Sequence, residues 1–136
     1  MVSLITGING FAGNYLKNFL IDKKQEVFGI DFQGDNKNCL TVNLTDFEAV
    51  QKAVTEIKPD YVYHLAAISR VDLKDCSNIY FVNVNGTLNL LRACASLDKK
   101  PRFLFVSSSQ VYGNVEKSFL PIKEDYPLCP VNHYGA

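Results

Sequence analysis

Neither sign of charge is in excess: fourteen basic and fourteen acidic side chains cancel in this 136-residue chain. Nothing therefore marks a nucleic-acid or membrane-binding surface, and no such partner is expected. No apolar run is long enough to span a bilayer, and no basic segment leads into an apolar stretch, so neither a membrane span nor a signal peptide is expected. The four cysteines, Cys39, Cys76, Cys94 and Cys129, lie far apart and form no Cys-x-x-Cys. Metal and redox roles are disfavoured, and free buried thiols in a reducing cytoplasm are the simpler reading. Internal repeats and low-complexity tracts are also missing. What is present suits a globular domain: 47% of the residues are apolar, enough for one buried core at this length.

Apolar runs and helical patterns alternate along the chain. Ala12, Tyr15, Leu16, Phe19 and Leu20 follow the i, i+3, i+4, i+7, i+8 spacing of one helix face. Val27 to Ile30 reads as a strand, Gln33 to Asn38 as a polar loop with Gly34 and Asp35, and Leu40 to Val42 as a short strand. Thr45-Asp46-Phe47-Glu48 has the form of a capping box, and Phe47, Val50, Val54 and Ile57 make the stripe of a second helix. Tyr61 to Ala67 is nearly all apolar, as expected for a parallel strand buried on both faces. A helix from about Ser77 to Leu97 and a strand from Phe103 to Val106 follow, and Pro121, Pro127 and Pro130 exclude a long helix near the end. The alternation predicts an α/β fold, a Rossmann-type doubly wound parallel sheet. Right-handed crossovers give it strand order 3-2-1-4-5. Ligands should bind where the first and fourth strands end, near Gly7, Ala66, Ala67 and Ser107.

The most informative segment joins the first strand to the first helix: Leu4-Ile5-Thr6-Gly7-Ile8-Asn9-Gly10-Phe11-Ala12-Gly13. Glycines spaced by three also make an ordinary strand-to-helix turn. Asp31, at the end of the second strand, favours a dinucleotide site, because a carboxylate there can accept both adenosine ribose hydroxyls. One glycine makes the tight turn, one lets backbone approach a pyrophosphate, and one lets helix and strand pack closely. Phe32 and Gln33 follow Asp31, with no arginine to accept a 2′-phosphate, so NAD is expected in preference to NADP.

The pattern Gly7-x-x-Gly10-x-x-Gly13, with Phe11 after the second glycine, resembles the extended short-chain dehydrogenase/reductase superfamily, the nucleotide-sugar epimerases, dehydratases and reductases. The resemblance covers essentially the whole chain. It implies cofactor contacts at Gly7, Asn9, Gly10, Phe11, Gly13, Asp31, Asn43, Leu44, Leu65, Ala66, Ala67 and Ser107. The family usually has aspartate at Asn43, where it meets the adenine amino group. Asn43 can accept that bond through its carbonyl, or it can be a turn residue before Thr45. His64 reads as structural, and Asn83 resembles a scaffold asparagine that bonds backbone.

Ser107-Ser108-Ser109-Gln110-Val111-Tyr112-Gly113 resembles the family's Ser-Ser-x-x-x-Tyr-Gly, which implies that Ser108 is the catalytic hydroxyl. Tyr134 matches the tyrosine of Tyr-x-x-x-Lys, whose lysine would stand two positions beyond Ala136. The resemblance therefore implies one incomplete NAD-binding domain over residues 1–136, cut before the last strands and the substrate domain, with apolar surface left at the fifth strand. The chain alone is then expected to be inactive, and its parent a cytoplasmic homodimeric enzyme. The implied substrate is a nucleotide sugar. Relatives that eliminate water carry carboxylates just after the catalytic hydroxyl, where this chain has Ser109 and Gln110, which argues against a dehydratase. The whole stretch looks most like reductases of GDP-4-keto-6-deoxymannose. A nucleotide-sugar 4-epimerase and a non-catalytic NAD-binding module are the alternatives.

Overall fold

A computed structural model describes residues 1–34, 38–69 and 76–136. Asp35, in the expected polar loop, lies outside the described residues. So do residues 70–75.

Five parallel strands form one sheet: β1 (Val2–Thr6), β2 (Glu26–Asp31), β3 (Cys39–Thr41), β4 (Tyr61–His64) and β5 (Arg102–Phe105). Their order is β3-β2-β1-β4-β5, as the alternation of elements predicts. β1 is central, with Thr6 level with Ile30 of β2 and His64 of β4. The chain leaves β1 to one side through helix α1 (Phe11–Asp22) and later crosses back through α2 (Phe47–Ile57). That reversal opens a crevice above the carboxyl ends of β1 and β4.

The larger core lies between the sheet and two helices, α2 and α4 (Gly86–Ser96). Leu4, Val50, Val54, Val62 and Leu90 are fully buried there. Each such side chain contributes about 1.5–3 kcal/mol relative to exposure. Asp46, not Thr45, caps α2: its carboxylate accepts the Ala49 N–H at 3.1 Å. Thr45 is diverted to Asn43, whose Oδ1 accepts both the Thr45 N–H at 3.0 Å and its hydroxyl at 2.9 Å.

α1 covers the other face, over a smaller core of Ile5, Ile8, Leu20, Val27 and Cys39. Here the expected helix face is corrected. Gly13 and Leu20 are buried, whereas Tyr15 is 69% and Phe19 56% exposed. The helix rests on its glycine side, and the aromatics pair outside it: the tilted rings of Phe11 and Tyr15 meet with centroids 5.1 Å apart, and Lys23 lies over Phe19. Tyr61 and Tyr63 are half-exposed, unlike the expected doubly buried strand, and at the sheet edge Leu104, Phe105 and Val106, which alternate between the two faces, are all exposed. β4 also ends at His64, three residues earlier than the apolar run.

The helix expected from Ser77 to Leu97 is continuous but not uniform. α3 (Ser77–Tyr80) passes through a π-helical turn, Phe81–Asn85, into α4. Of the cysteines, Cys39 and Cys94 are buried, Cys76 is half-buried and Cys129 is exposed, so burial does not hold for all four. Burial pushes the Cys94 thiol up to about 11, which keeps it protonated and inert. Among the described residues no helix is long and apolar enough to cross a membrane.

Candidate functional site

Gly7 follows β1 with φ +71°, in the left-handed region, and its N–H donates to Ile30 O at 2.8 Å. A Cβ on Gly7 would stand 3.1 Å from the backbone of Ala66, so the ends of β1 and β4 meet without a side chain between them. Gly13 is tighter still. A Cβ there would lie 2.2 Å from Gly7 O and 2.7 Å from the Ile8 backbone, so only glycine lets α1 sit on the turn. Gly10 is the N-cap of α1 and provides no side-chain cap, and the first turn carries no acidic residue. The opening N–H groups of α1 therefore face outward with the helix dipole behind them, a seat for an anion.

Asp31 is fixed beside this turn. One carboxylate oxygen accepts the Asn9 N–H at 3.0 Å and the other the Phe32 N–H at 2.8 Å. Each oxygen keeps a lone pair for a further donor. Asn9 also donates from Nδ2 to Gln33 O at 2.6 Å, tying the glycine turn to the exit of β2. These residues form a cradle that fits a dinucleotide: no Cβ in the path, free N–H groups for phosphate, and a held carboxylate for vicinal hydroxyls. Asn43 spends Oδ1 on Thr45, which is its turn role, and Leu44 is buried in the core, where its carbonyl accepts from Asn89 Nδ2 at 2.9 Å.

Across the crevice, Leu65, Ala66, Ala67, Ser107, Ser108 and Tyr134 line one pocket of about 430 Å³. The two residues implied as catalytic thus reach the same cavity from segments 26 positions apart in sequence, between Ser108 and Tyr134. Ser108 caps a short 3-10 turn, Ser109–Tyr112, and its Oγ accepts the Gln110 N–H at 3.2 Å. With that acceptor site used, its O–H is free to donate into the pocket.

Along the wall of the pocket, through His64, Asn83 and Thr87, runs a largely buried chain of hydrogen bonds that the sequence did not reveal. The Ala66 N–H donates to Thr6 Oγ1 at 3.1 Å, and Thr6 Oγ1 meets His64 Nδ1 at 2.7 Å. His64 Nε2 meets Thr87 Oγ1 at 2.8 Å, and Thr87 donates to Asn83 O at 2.5 Å. The Asn83 carbonyl can only accept, so Thr87 spends its one proton there and must accept from His64 Nε2–H. Burial keeps the imidazole uncharged, so Nδ1 is bare and Thr6 gives its proton to it. His64 is neutral with its proton on Nε2. Asn83 clamps Ile68 twice, its Oδ1 accepting the Ile68 N–H at 2.8 Å and its Nδ2 donating to Ile68 O at 3.0 Å. Asn83, in the π-helical turn, and Thr87, in α4, thereby tie this helix to the end of β4 and the loop after it. The i, i+4 spacing of Asn83 and Thr87 is the trace of this in sequence.

Burial holds the His64 imidazole down at about 4, below its usual 6.5. The unfolded chain binds this proton near pH 6.5 and the folded chain does not until about pH 4. Stability from His64 is present above pH 6.5 and is lost as pH falls toward 4, by about 3 kcal/mol. His64→Asn should therefore be destabilised at pH 7 and much less so, relative to the parent, at pH 4.5. Urea unfolding of both proteins at the two pH values measures it, and an equal gap at both would contradict the assignment.

Comparison with known proteins adds one deciding observation. A family model described as GDP-mannose 4,6 dehydratase matches residues 4–136. The chain belongs to this family. The GDP-mannose 4,6-dehydratase family falls within the NAD-dependent epimerase/dehydratase group of short-chain dehydrogenases, with the Rossmann fold described above. One dehydratase-family relative, the GDP-mannose 4,6-dehydratase of Vibrio cholerae, is 35% identical over 158 residues, covering 99% of this chain and 42% of its own. The GDP-6-deoxy-D-talose 4-dehydrogenase of Aggregatibacter actinomycetemcomitans is 37% identical over 137 residues, covering 99% of this chain and 44% of its own. The UDP-glucose 4-epimerase of Thermus thermophilus, solved in complex with NAD, superimposes with TM-score 0.88 at 31% identity, over 99% of this chain and 46% of that one. The chain thus spans less than half the length of the curated relatives it matches.

Proposed function

We propose that this chain is the NAD-binding part of a nucleotide-sugar oxidoreductase that reduces a 4-keto-6-deoxy sugar carried on GDP. The observation that carries this is the occupant of position 110. Relatives that eliminate water need a carboxylate beside the catalytic hydroxyl to move a proton at the sugar. Gln110 cannot do so, and its Oε1 is already engaged by Asn132 Nδ2 at 2.8 Å. One alignment, with the 4-dehydrogenase, favours the same reading. Against the Vibrio dehydratase the alignment runs over 158 residues, longer than this chain, so segments of that enzyme have no counterpart here. Against the 4-dehydrogenase it runs over 137, almost residue for residue.

The residues have distinct tasks. Gly7, Gly10, Phe11 and Gly13 seat the pyrophosphate at the start of α1. Asn9 holds Asp31, which takes the adenosine ribose hydroxyls. Ala66, Ala67 and Ser107 carry the backbone past the nicotinamide end. The bound cofactor supplies the hydride. Ser108 donates its O–H to the sugar oxygen, and Tyr134 gives that oxygen its proton as charge develops. The lysine that assists Tyr134 in this family belongs four positions after it. We expect it in the full-length protein, together with the segments that bind the sugar.

Cofactor choice rests on Asp31. NAD(H) should bind tighter than NADP(H), because a 2′-phosphate would meet the fixed carboxylate. Asp31→Ala should weaken NAD(H) about tenfold, the loss of a charge-assisted bond, and narrow the gap between the two. Calorimetric titration of both cofactors checks this, and tighter NADP(H) in the parent would contradict it. The reaction itself is tested by product analysis with the full-length protein. Added GDP-4-keto-6-deoxymannose should be reduced, and GDP-mannose should be left intact. Formation of a 4-keto-6-deoxy sugar from intact GDP-mannose would overturn the role given to Gln110.

A further inference from the structure

Tyr134 lies in a segment without regular structure, yet the segment is fastened to the Ser108 turn at several points. The Gly135 N–H donates to Asn132 Oδ1 at 2.8 Å, and Asn132 Nδ2 donates to Gln110 Oε1 at 2.8 Å. The backbone settles the orientation of both amides. The Gly135 N–H can only donate, so the atom it meets on Asn132 is oxygen. The other end of Asn132 is then nitrogen, and the atom that receives its proton on Gln110 is oxygen. Gln110 reaches Ser108 and the neighbour of Tyr134: its own N–H binds Ser108 Oγ at 3.2 Å, and its carbonyl packs on Gly135, where a Cβ would come within 2.4 Å. Upstream, the Cys129 N–H donates to Val111 O at 3.0 Å, laying the segment along the turn. On the far side of Asn132, His133 Nδ1 meets Tyr80 OH at 3.1 Å, with the rings edge to face.

We propose that Asn132 is a positioning residue that clasps the Tyr134 segment to Gln110 and so sets the tyrosine hydroxyl against the Ser108 hydroxyl across the pocket. This rests on the reading of Ser108 and Tyr134 as the catalytic pair. The clasp gives Gln110 a second meaning: it is an acceptor for Asn132 as well as the absence of a carboxylate acid. A carboxylate at position 110 would accept the same bond, so the clasp tolerates Gln110→Glu and not Gln110→Ala.

The test uses the full-length protein with NADH and GDP-4-keto-6-deoxymannose. Asn132→Ala should lower kcat about 10- to 100-fold, the effect of misplacing a reacting group by about 1 Å, with the Kd for NADH unchanged within twofold. Gln110→Ala should do the same, and the double variant should be no slower than either single one, because both break one bond. Gln110→Glu should recover most of the lost rate. Separately, exchange of the Gly135 amide hydrogen should speed up more than tenfold in Asn132→Ala while the melting temperature holds. Additive losses, or an unchanged Gly135 exchange rate, would overturn the clasp. Should Asn132→Ala not fold, Asn132→Asp combined with Gln110→Glu keeps the acceptor for Gly135, leaves no donor between positions 132 and 110, and should show the kcat loss alone. If the parent protein reduces no keto sugar, the functional reading fails, and Gly135 exchange still decides the clasp.

Discussion

Gly13→Val is expected to abolish NAD binding and to destabilise the domain by about 3 kcal/mol or more. Already the first carbon of the new side chain would sit 2.2 Å from Gly7 O and 2.7 Å from Ile8 O. Neither neighbour can yield: both belong to the backbone of the turn, and Gly7 is pinned to Ile30 by its N–H. The start of α1 would have to lift off β1, taking with it the N–H groups that face the pyrophosphate. Thermal melting should fall by about 10 °C and calorimetry with NAD should give no binding heat. Gly10→Ala is the contrast. Its Cβ would lie 3.1 Å from Gly7 O, a contact that a few tenths of an ångström relieve, so it should fold normally. Equal losses in the two variants would contradict the packing account.

Tyr134→Phe in the full-length protein should lower kcat about 10³-fold, within the range for losing a positioned acid–base group. Its ring would still fill the same side of the pocket, so the Kd for NAD should change less than twofold. Ser108→Ala should lose less, about 10²-fold, since it removes one hydrogen bond to developing charge and no proton transfer. Stopped-flow measurement of NADH consumption at saturating sugar separates these from binding effects. Retention of full rate by Tyr134→Phe would remove the tyrosine from the chemistry.

Sheet order and crossovers were legible because they depend on short-range signals. Gly7 needs its positive φ, Pro59 follows the end of α2, and Val50 and Val54 recur at helical spacing. The face of α1 was not legible. Phe11, Tyr15 and Phe19 also recur at helical spacing, but close seating on Gly13 turns them outward. The cap of α2 was misread for a similar reason: Thr45 and Asp46 are both good caps, and the pull of Asn43 on Thr45 decides between them. The π-helical turn could not be read locally, since Asn83 is held by Ile68 across the loop and Thr87 by His64 of β4. The candidate site divides along the same line. The glycine turn, Asp31, Ser108 and Tyr134 carry motifs of fixed spacing. Thr6, Asn132 and Gly135 act through partners set by the fold, with no spacing to betray them.

The central claim is that hydride passes between nicotinamide C4 and the sugar C4, with no elimination. It is tested most directly by turning over GDP-4-keto-6-deoxymannose with NADH deuterated at C4 on its transferring face, using the full-length protein, and locating the label by mass spectrometry and NMR. The account predicts one deuterium in the product, on C4 of the sugar, with one equivalent of NADH consumed. Deuterium on C6, or a product formed without label and without net NADH consumption as in an epimerase, would contradict it.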